Sequence, residues 1–165
     1  MRKFLITLCV LGSATARYAT AQPDVRIEPP ANVEGPRVLE EQTATAVVRD
    51  YLQSWHSMTA ALQQNDADLL DMDFAGTARD KLAETVQEQA RLGLSAHYLD
   101  RAHDIQIVFI SPDGLSIELT DRVEYDVQIF DHDKPVTSQH MRTRYTVVLT
   151  PAEARWKVRV FQGQI

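Results

Sequence analysis

Between Leu115 and Ile129 apolar residues fall on every second position: Leu115, Ile117, Leu119, Val123, Tyr125, Val127 and Ile129. The alternate positions hold Ser116, Glu118, Thr120, Arg122, Glu124, Asp126 and Gln128. A period of two belongs to a strand with one face against a core and the other in water. A parallel sheet covered on both faces would read as a continuous apolar run, so this pattern calls for an antiparallel sheet covered on one side only.

The flanking residues extend the sheet in both directions. Ser111-Pro112-Asp113-Gly114 is a tight-turn signal leading back to a strand that ends at Ile110. Asp131 to Pro135 links forward to a strand from Val136 through Thr150, and the Pro151 to Arg155 turn leads into a last strand, Trp156 to Gln162. If Ile129 faces Thr137, Glu124 opposes Arg142 and Asp126 opposes His140 on the polar face, which are favourable cross-strand pairs. Arg122 then faces Arg144, with Glu124 on the diagonal, and Tyr145 lies opposite Asp121.

Helices precede the sheet. Val48, Tyr51, Leu52, Trp55, Met58, Thr59 and Leu62 recur at spacings of three and four, the stripe of an amphipathic helix. Thr43 or Thr45 is placed to cap its start, and Asn65 to end it in a left-handed turn. A second, short helix fits Asp66 to Phe74 and stops at Gly76; a third opens at Thr77, carries Leu82, Val86 and Ala90 on one side, and closes at Gly93. The expected architecture is α+β: three N-terminal helices packed on one face of a curved four-stranded antiparallel meander.

Arg2 and Lys3, the apolar run Phe4 to Leu11, and Ala19-Thr20-Ala21 have the order of a secretory signal peptide. The run is too short to stay as a membrane anchor. Residues 1–21 are therefore expected to be removed, residues 22–41, with four prolines, to act as a flexible linker, and residues 42–165 to form the domain. Cys9 would leave with the leader, so neither a disulfide nor a thiolate nucleophile would remain. Loss of Arg2, Lys3 and Arg17 from the 17 basic residues leaves 14 against 23 acidic ones, a net charge near −9. So acidic a domain is a poor fit to nucleic acid or to anionic lipid.

Asp121 is the one residue that breaks the apolar face of its strand. A carboxylate in an apolar cavity can serve as a general base, and Tyr125 and Tyr145 beside it could polarise a carbonyl. The alternative is a buried Asp satisfied by a tyrosine hydroxyl, or by Arg101 or Arg79, for structural reasons. Tyr51, Trp55, Met58 and Trp156 are candidates to line a ligand cavity, or else simply core. His56, His97, His103, His132 and His140 are too scattered for a metal-ligand set, and Asp131-His132-Asp133 reads as a solvated turn. Asp66, Asp68, Asp71 and Asp73 lack the glycine and distal glutamate of a calcium loop. With no glycine-rich phosphate loop and no Gly-x-Ser-x-Gly elbow, no cofactor or metal is expected, and common nucleotide enzymes and serine hydrolases are disfavoured.

Three helices followed by a long meander, a Trp-bearing first helix and closing strands of the type RYTVVL...RWKVRVF resemble the nuclear-transport-factor-2-like superfamily of cone-shaped domains over roughly Gln42 to Phe161. More loosely, YLQSW...AL...LL...FAGTARDKL...Y, then VEYDVQIFD and RTRYTVVL...RWKV, look like the C-terminal domain of cyanobacterial and plastid division proteins. That second resemblance implies protein contacts rather than chemistry. The superfamily also holds isomerases, dehydratases and cyclases with an Asp or His inside the cone, but none has a motif matched here residue by residue, so no catalytic residue is carried over. The expectation is an exported, periplasmic or extracellular, non-catalytic module for a protein partner or a small apolar ligand. The alternative is a small pocket enzyme, of isomerase or dehydratase type, with Asp121 as general base.

Overall fold

The computed structural model describes residues 22–29 and 39–164. The expected leader, residues 1–21, lies outside them, as does much of the expected linker. The element order is β1 (Asp24–Ile27), α1 (Glu41–Gln64), a 3-10 turn (Ala67–Leu70), α2 (Gly76–Arg91), β2 (Leu94–Ile110), β3 (Ile117–Asp131), β4 (Lys134–Pro151) and β5 (Trp156–Gln164). The strands form one sheet in the order β1-β2-β3-β4-β5.

The architecture is α+β, with two corrections to the expected detail. There are two α-helices among the described residues rather than three, because the segment after Asn65 closes as a single 3-10 turn, capped by the Asp66 carboxylate accepting from the Asp68 N–H at 3.0 Å. The sheet is mixed and has five strands, because Asp24–Ile27, inside the stretch read as linker, pairs in parallel with Ala102–Ile105. Asp24-Val25-Arg26-Ile27 alternates polar and apolar residues, but four residues are too few to announce a strand; the open edge of β2 supplies the partner.

α1 starts at Glu41, after Glu40, and its cap makes no side-chain hydrogen bond, so neither Thr43 nor Thr45 caps it. Asn65 ends it in the left-handed region at φ 55°, as its residue type allows. Beyond α2, Gly93 sits at φ +71° and its carbonyl accepts from the His132 N–H at 3.1 Å, tying the β3–β4 hairpin tip to the helix end.

The stripe of α1, with Val47, Val48, Tyr51, Trp55, Met58, Ala61 and Leu62 all buried, lies on the sheet face made by Ile105, Ile107, Leu119, Val123, Val147, Leu149 and Val158. Burying each of the larger side chains contributes about 1.5–3 kcal/mol. The β3–β4 register is the expected one: Ile129 faces Thr137, Asp126 His140, Glu124 Arg142, Arg122 Arg144 and Asp121 Tyr145. Leu115 is the exception to the alternation; it is 56% exposed, and β3 begins two residues later. Bulges at Asp100/Ala102 and Ile107/Phe109 on β2, and another between β4 and β5, bend the sheet around the helices.

On the outer face the Glu124 carboxylate meets Arg142 Nε and His140 Nε2, each at 3.2 Å, Asp126 meets Arg101 and His140, and Asp104 meets Arg122 at 3.1 Å. Such exposed pairs contribute little individually. Glu124→Arg is therefore expected to change stability by no more than about 1 kcal/mol. Urea unfolding checks this, and loss of folding would mean that the outer face is buried in an assembly.

Candidate functional site

Asp121 is wholly buried and is met by a tyrosine hydroxyl, as one reading expected, but by that of Tyr51 rather than Tyr145 or Tyr125, and by no arginine. Its Oδ2 accepts from the Tyr51 hydroxyl at 2.8 Å and lies 2.6 Å from His103 Nδ1, while its Oδ1 accepts from the Asp104 backbone N–H at 3.1 Å. Arg101 is on the outer face with Asp126, and Arg79 pairs with Asp71. Tyr145 is opposite Asp121 in register but bonds elsewhere. Three elements thus converge on one carboxylate: α1 through Tyr51, β2 through His103 and Asp104, and β3 through Asp121 itself.

His103, one of five histidines widely spaced in the sequence, is the one that meets Asp121. The β2 bulge explains why its position was not legible. Asp100 pairs with Tyr125 and Ala102 with Glu124, leaving Arg101 unmatched, so the inward set changes from Ala96, Tyr98 and Asp100 to His103, Ile105 and Ile107. A strict alternation carried through from Tyr98 would put His103 in water. The usable signal was its phase with Ile105 and Ile107.

Trp55 closes the centre from the helix side. Its ring stands edge-on to His103 (5.1 Å between centroids), Tyr145 (5.3 Å), Tyr125 (6.0 Å) and Phe161 (6.1 Å). Tyr145 stacks on Phe161 at 4.6 Å, over Gly163, where a Cβ would come within 3.1 Å of the Tyr145 ring. Tyr125 Oη lies 3.3 Å from Thr143 Oγ1 and 3.4 Å from Tyr145 Oη. Of the four cavity candidates, Tyr51, Trp55 and Met58 are core residues with at most 3% exposure, and Trp156 is half-buried, its backbone N–H donating to Asp50 Oδ2 at 2.8 Å. Trp55 Nε1 and Asp100 Oδ1 are buried without a hydrogen-bond partner.

Burial dominates the acidities here. It pushes the Tyr51 hydroxyl far up, and the Asp121 carboxylate beside it pushes in the same direction. Tyr98 rises to about 12 through burial, then through Tyr125 and Asp100, and Tyr145 rises through burial and its bond with Tyr125. A phenol whose folded pKa lies above its unfolded value favours folding fully below the unfolded value, near 10, and that contribution is lost as pH climbs through the folded value. Stability is thus expected to fall from about pH 10 to 12. Tyrosinate absorbance from these rings should appear together with loss of tertiary structure; titration of all three in a still-folded protein would contradict the burial.

Among the described residues no group of three or more His, Cys, Asp or Glu is placed to hold a metal ion. Asp131, His132 and Asp133 form the hairpin tip, with positive φ at the last two and the His132 ring against the Asp131 carboxylate at 2.5 Å. Asp73 is a buried structural carboxylate, bonded to Ser57 Oγ at 2.5 Å and to Arg155 Nη1 at 2.8 Å.

No family model matches the chain, and no curated protein matches its sequence. Solved structures do. The intermembrane space region of the chloroplast protein ARC6 superposes with a TM-score of 0.64 at 15% identity, covering 77% of this chain and 98% of that one. A scytalone dehydratase-like protein from Novosphingobium aromaticivorans superposes with a TM-score of 0.53 at 13% identity, covering 76% and 89%. The chain shares the α+β fold of these two structures, which is the fold that the sequence resemblance implied. At these identities the likeness is one of fold, and function has to be argued from the site.

Proposed function

We propose that this domain is an exported, non-catalytic binding module whose partner is a protein. The observation that carries the reading is the state of Asp121: wholly buried, with both carboxylate oxygens occupied by three donors. A general base needs a substrate proton within hydrogen-bond reach. Here the carboxylate is sealed behind Tyr51, Trp55 and His103, each at most 2% exposed, and serves to join helix and sheet.

Support for a protein partner comes from the far end of the sheet. Lys134–His140 is exposed on both faces, and Val136 is 62% exposed; this stretch of β4 lies past the end of its pairing with β5, which starts at Arg144, and forms a strand edge uncovered among the described residues. The intermembrane space region of ARC6, with the same fold, belongs to a compartment reached across a membrane. None of the described helices is long and apolar enough to span a bilayer. The basic head and short apolar run of residues 2–11, ahead of Ala19-Thr20-Ala21, have the order of an export signal and support that reading. Intact mass of the exported protein is expected to place its first residue at Gln22; a mass that retains residues 1–21 would mean an anchored protein.

The second reading, a pocket enzyme, is favoured by one feature: an imidazole oriented by a carboxylate through Nδ1 is a general acid-base arrangement, with Nε2 left for a substrate. Pull-down of envelope proteins with the wild type and with Val136→Glu separates the two. The binding reading expects a specific partner that is lost in the hairpin variant. Turnover of a hydroxylated carbonyl compound, abolished by His103→Gln in a protein that still folds, would replace it with the enzyme reading.

A further inference from the structure

We propose that the outer edge of β2 is a seat for strand exchange between copies of this chain, Asp24–Ile27 of one copy pairing with Ala102–Ile105 of another. The structure shows the seat filled from within: Asp24 pairs with Ala102, Val25 with His103, Arg26 with Asp104 and Ile27 with Ile105, all in parallel. The Glu28 N–H also donates to the Ile105 carbonyl at 2.9 Å, and Gln106 Nε2 to the Pro29 carbonyl at 3.3 Å.

Two properties make the occupant exchangeable. All four residues of β1 are exposed, with Val25 at 37% and Ile27 at 59%, so main-chain pairing holds the strand and its departure uncovers little apolar surface. The edge it would vacate is costlier to leave empty, because an unpaired row of N–H and C=O groups is a template for another strand. The edge lies directly over the polar centre, since His103 and Ile105, opposite Val25 and Ile27, are both core residues.

The register also specifies the occupant. Val25 and Ile27 project on the helix side of the sheet, and between them Arg26 stands opposite Asp104, whose Oδ2 holds Arg122 while its Oδ1 is buried without a partner. The seat therefore takes an extended segment with apolar residues two apart and a cation between them, and a second copy carries that segment. Thirteen residues, 28–40, join β1 to α1, a reach of up to about 45 Å when extended. Pairing within one chain competes with exchange through an effective concentration, which for short linkers in general is on the order of millimolar. The closed monomer prevails in dilute solution, and exchange sets in as protein concentration approaches that value.

This goes beyond the partner binding proposed above and does not rest on it: the test reads pairing of the chain with itself. Asp24→Cys and Ala102→Cys, introduced together in the purified chain with Cys9→Ser, place two thiols at facing positions of the seat. Oxidation at about 1 μM is expected to give an intrachain disulfide, and oxidation near 1 mM a disulfide-linked dimer making up a third or more of the protein. Arg26→Glu with Ile27→Lys should lower the dimer yield several-fold. Intrachain disulfide alone at both concentrations would overturn the proposal, and so would a dimer yield indifferent to those substitutions, which would mark collision of thiols rather than strand pairing.

Discussion

Asp121→Leu is expected to lower the urea midpoint of unfolding by roughly 1–2 M, from a loss of about 3 kcal/mol or more at an m-value near 2 kcal/mol/M. Leucine fills the volume but accepts no hydrogen bond. The Tyr51 hydroxyl, the His103 ring and the Asp104 N–H would then be left without their shared acceptor, two of them fully inside the core. Each unsatisfied buried donor costs about 1–3 kcal/mol, and the three costs overlap because they share one group. Asp121→Asn keeps a carbonyl oxygen as acceptor and is expected to lose less. An unchanged or raised midpoint in the leucine variant would mean that the carboxylate is held there against stability, as groups kept for function are.

Trp55→Ala carries the other large effect. The indole is 1% exposed and touches His103, Tyr125, Tyr145 and Phe161, rings contributed by β2, β3, β4 and β5. Its removal opens a cavity under all four strands, for which about 3–5 kcal/mol is the usual loss. A ligand-floor tryptophan would behave differently: the domain would stay close to parental stability and lose ligand binding instead. Thermal unfolding of the two proteins distinguishes the cases, with a fall of roughly 10 °C or more expected for a domain of this size.

The legible parts of this protein were those governed by strict periodicity. The β3 alternation and the β3–β4 register followed from side-chain phase and charge pairing, down to Asp121 facing Tyr145. Asn65 and Gly93 marked helix ends because few other residues accept a positive φ there. Three features escaped. The stretch after Asn65 has helix-like composition, but only Ala67–Leu70 closes as a 3-10 turn, because the Asp73 carbonyl and the Ala75 N–H pair with Val158 of β5 before Gly76, at φ +54°, starts α2. β1 has an alternation only four residues long, too short to be read as a strand, and exists through the edge that it covers. The Asp121 partnership depends on the Arg101 bulge, which changes the phase of β2 by one residue; a bulge is a tertiary response to curvature, and local sequence does not encode it strongly. The anomalous carboxylate was visible, but the imidazole that meets it was not.

In the function proposed above, the Asp121 centre is a sealed structural junction. Chemical modification of histidines in the folded protein, read residue by residue by mass spectrometry, tests it most directly. His56, His132 and His140 are exposed and His97 is half-buried, whereas His103 is 2% exposed and bound to Asp121 through Nδ1. With diethyl pyrocarbonate at neutral pH, the exposed three are expected to react and His103 to stay unmodified until urea unfolds the domain. Modification of His103 in the folded protein at a rate comparable to His56 would show that small molecules reach the imidazole, contradict the sealed junction, and put the enzyme reading first.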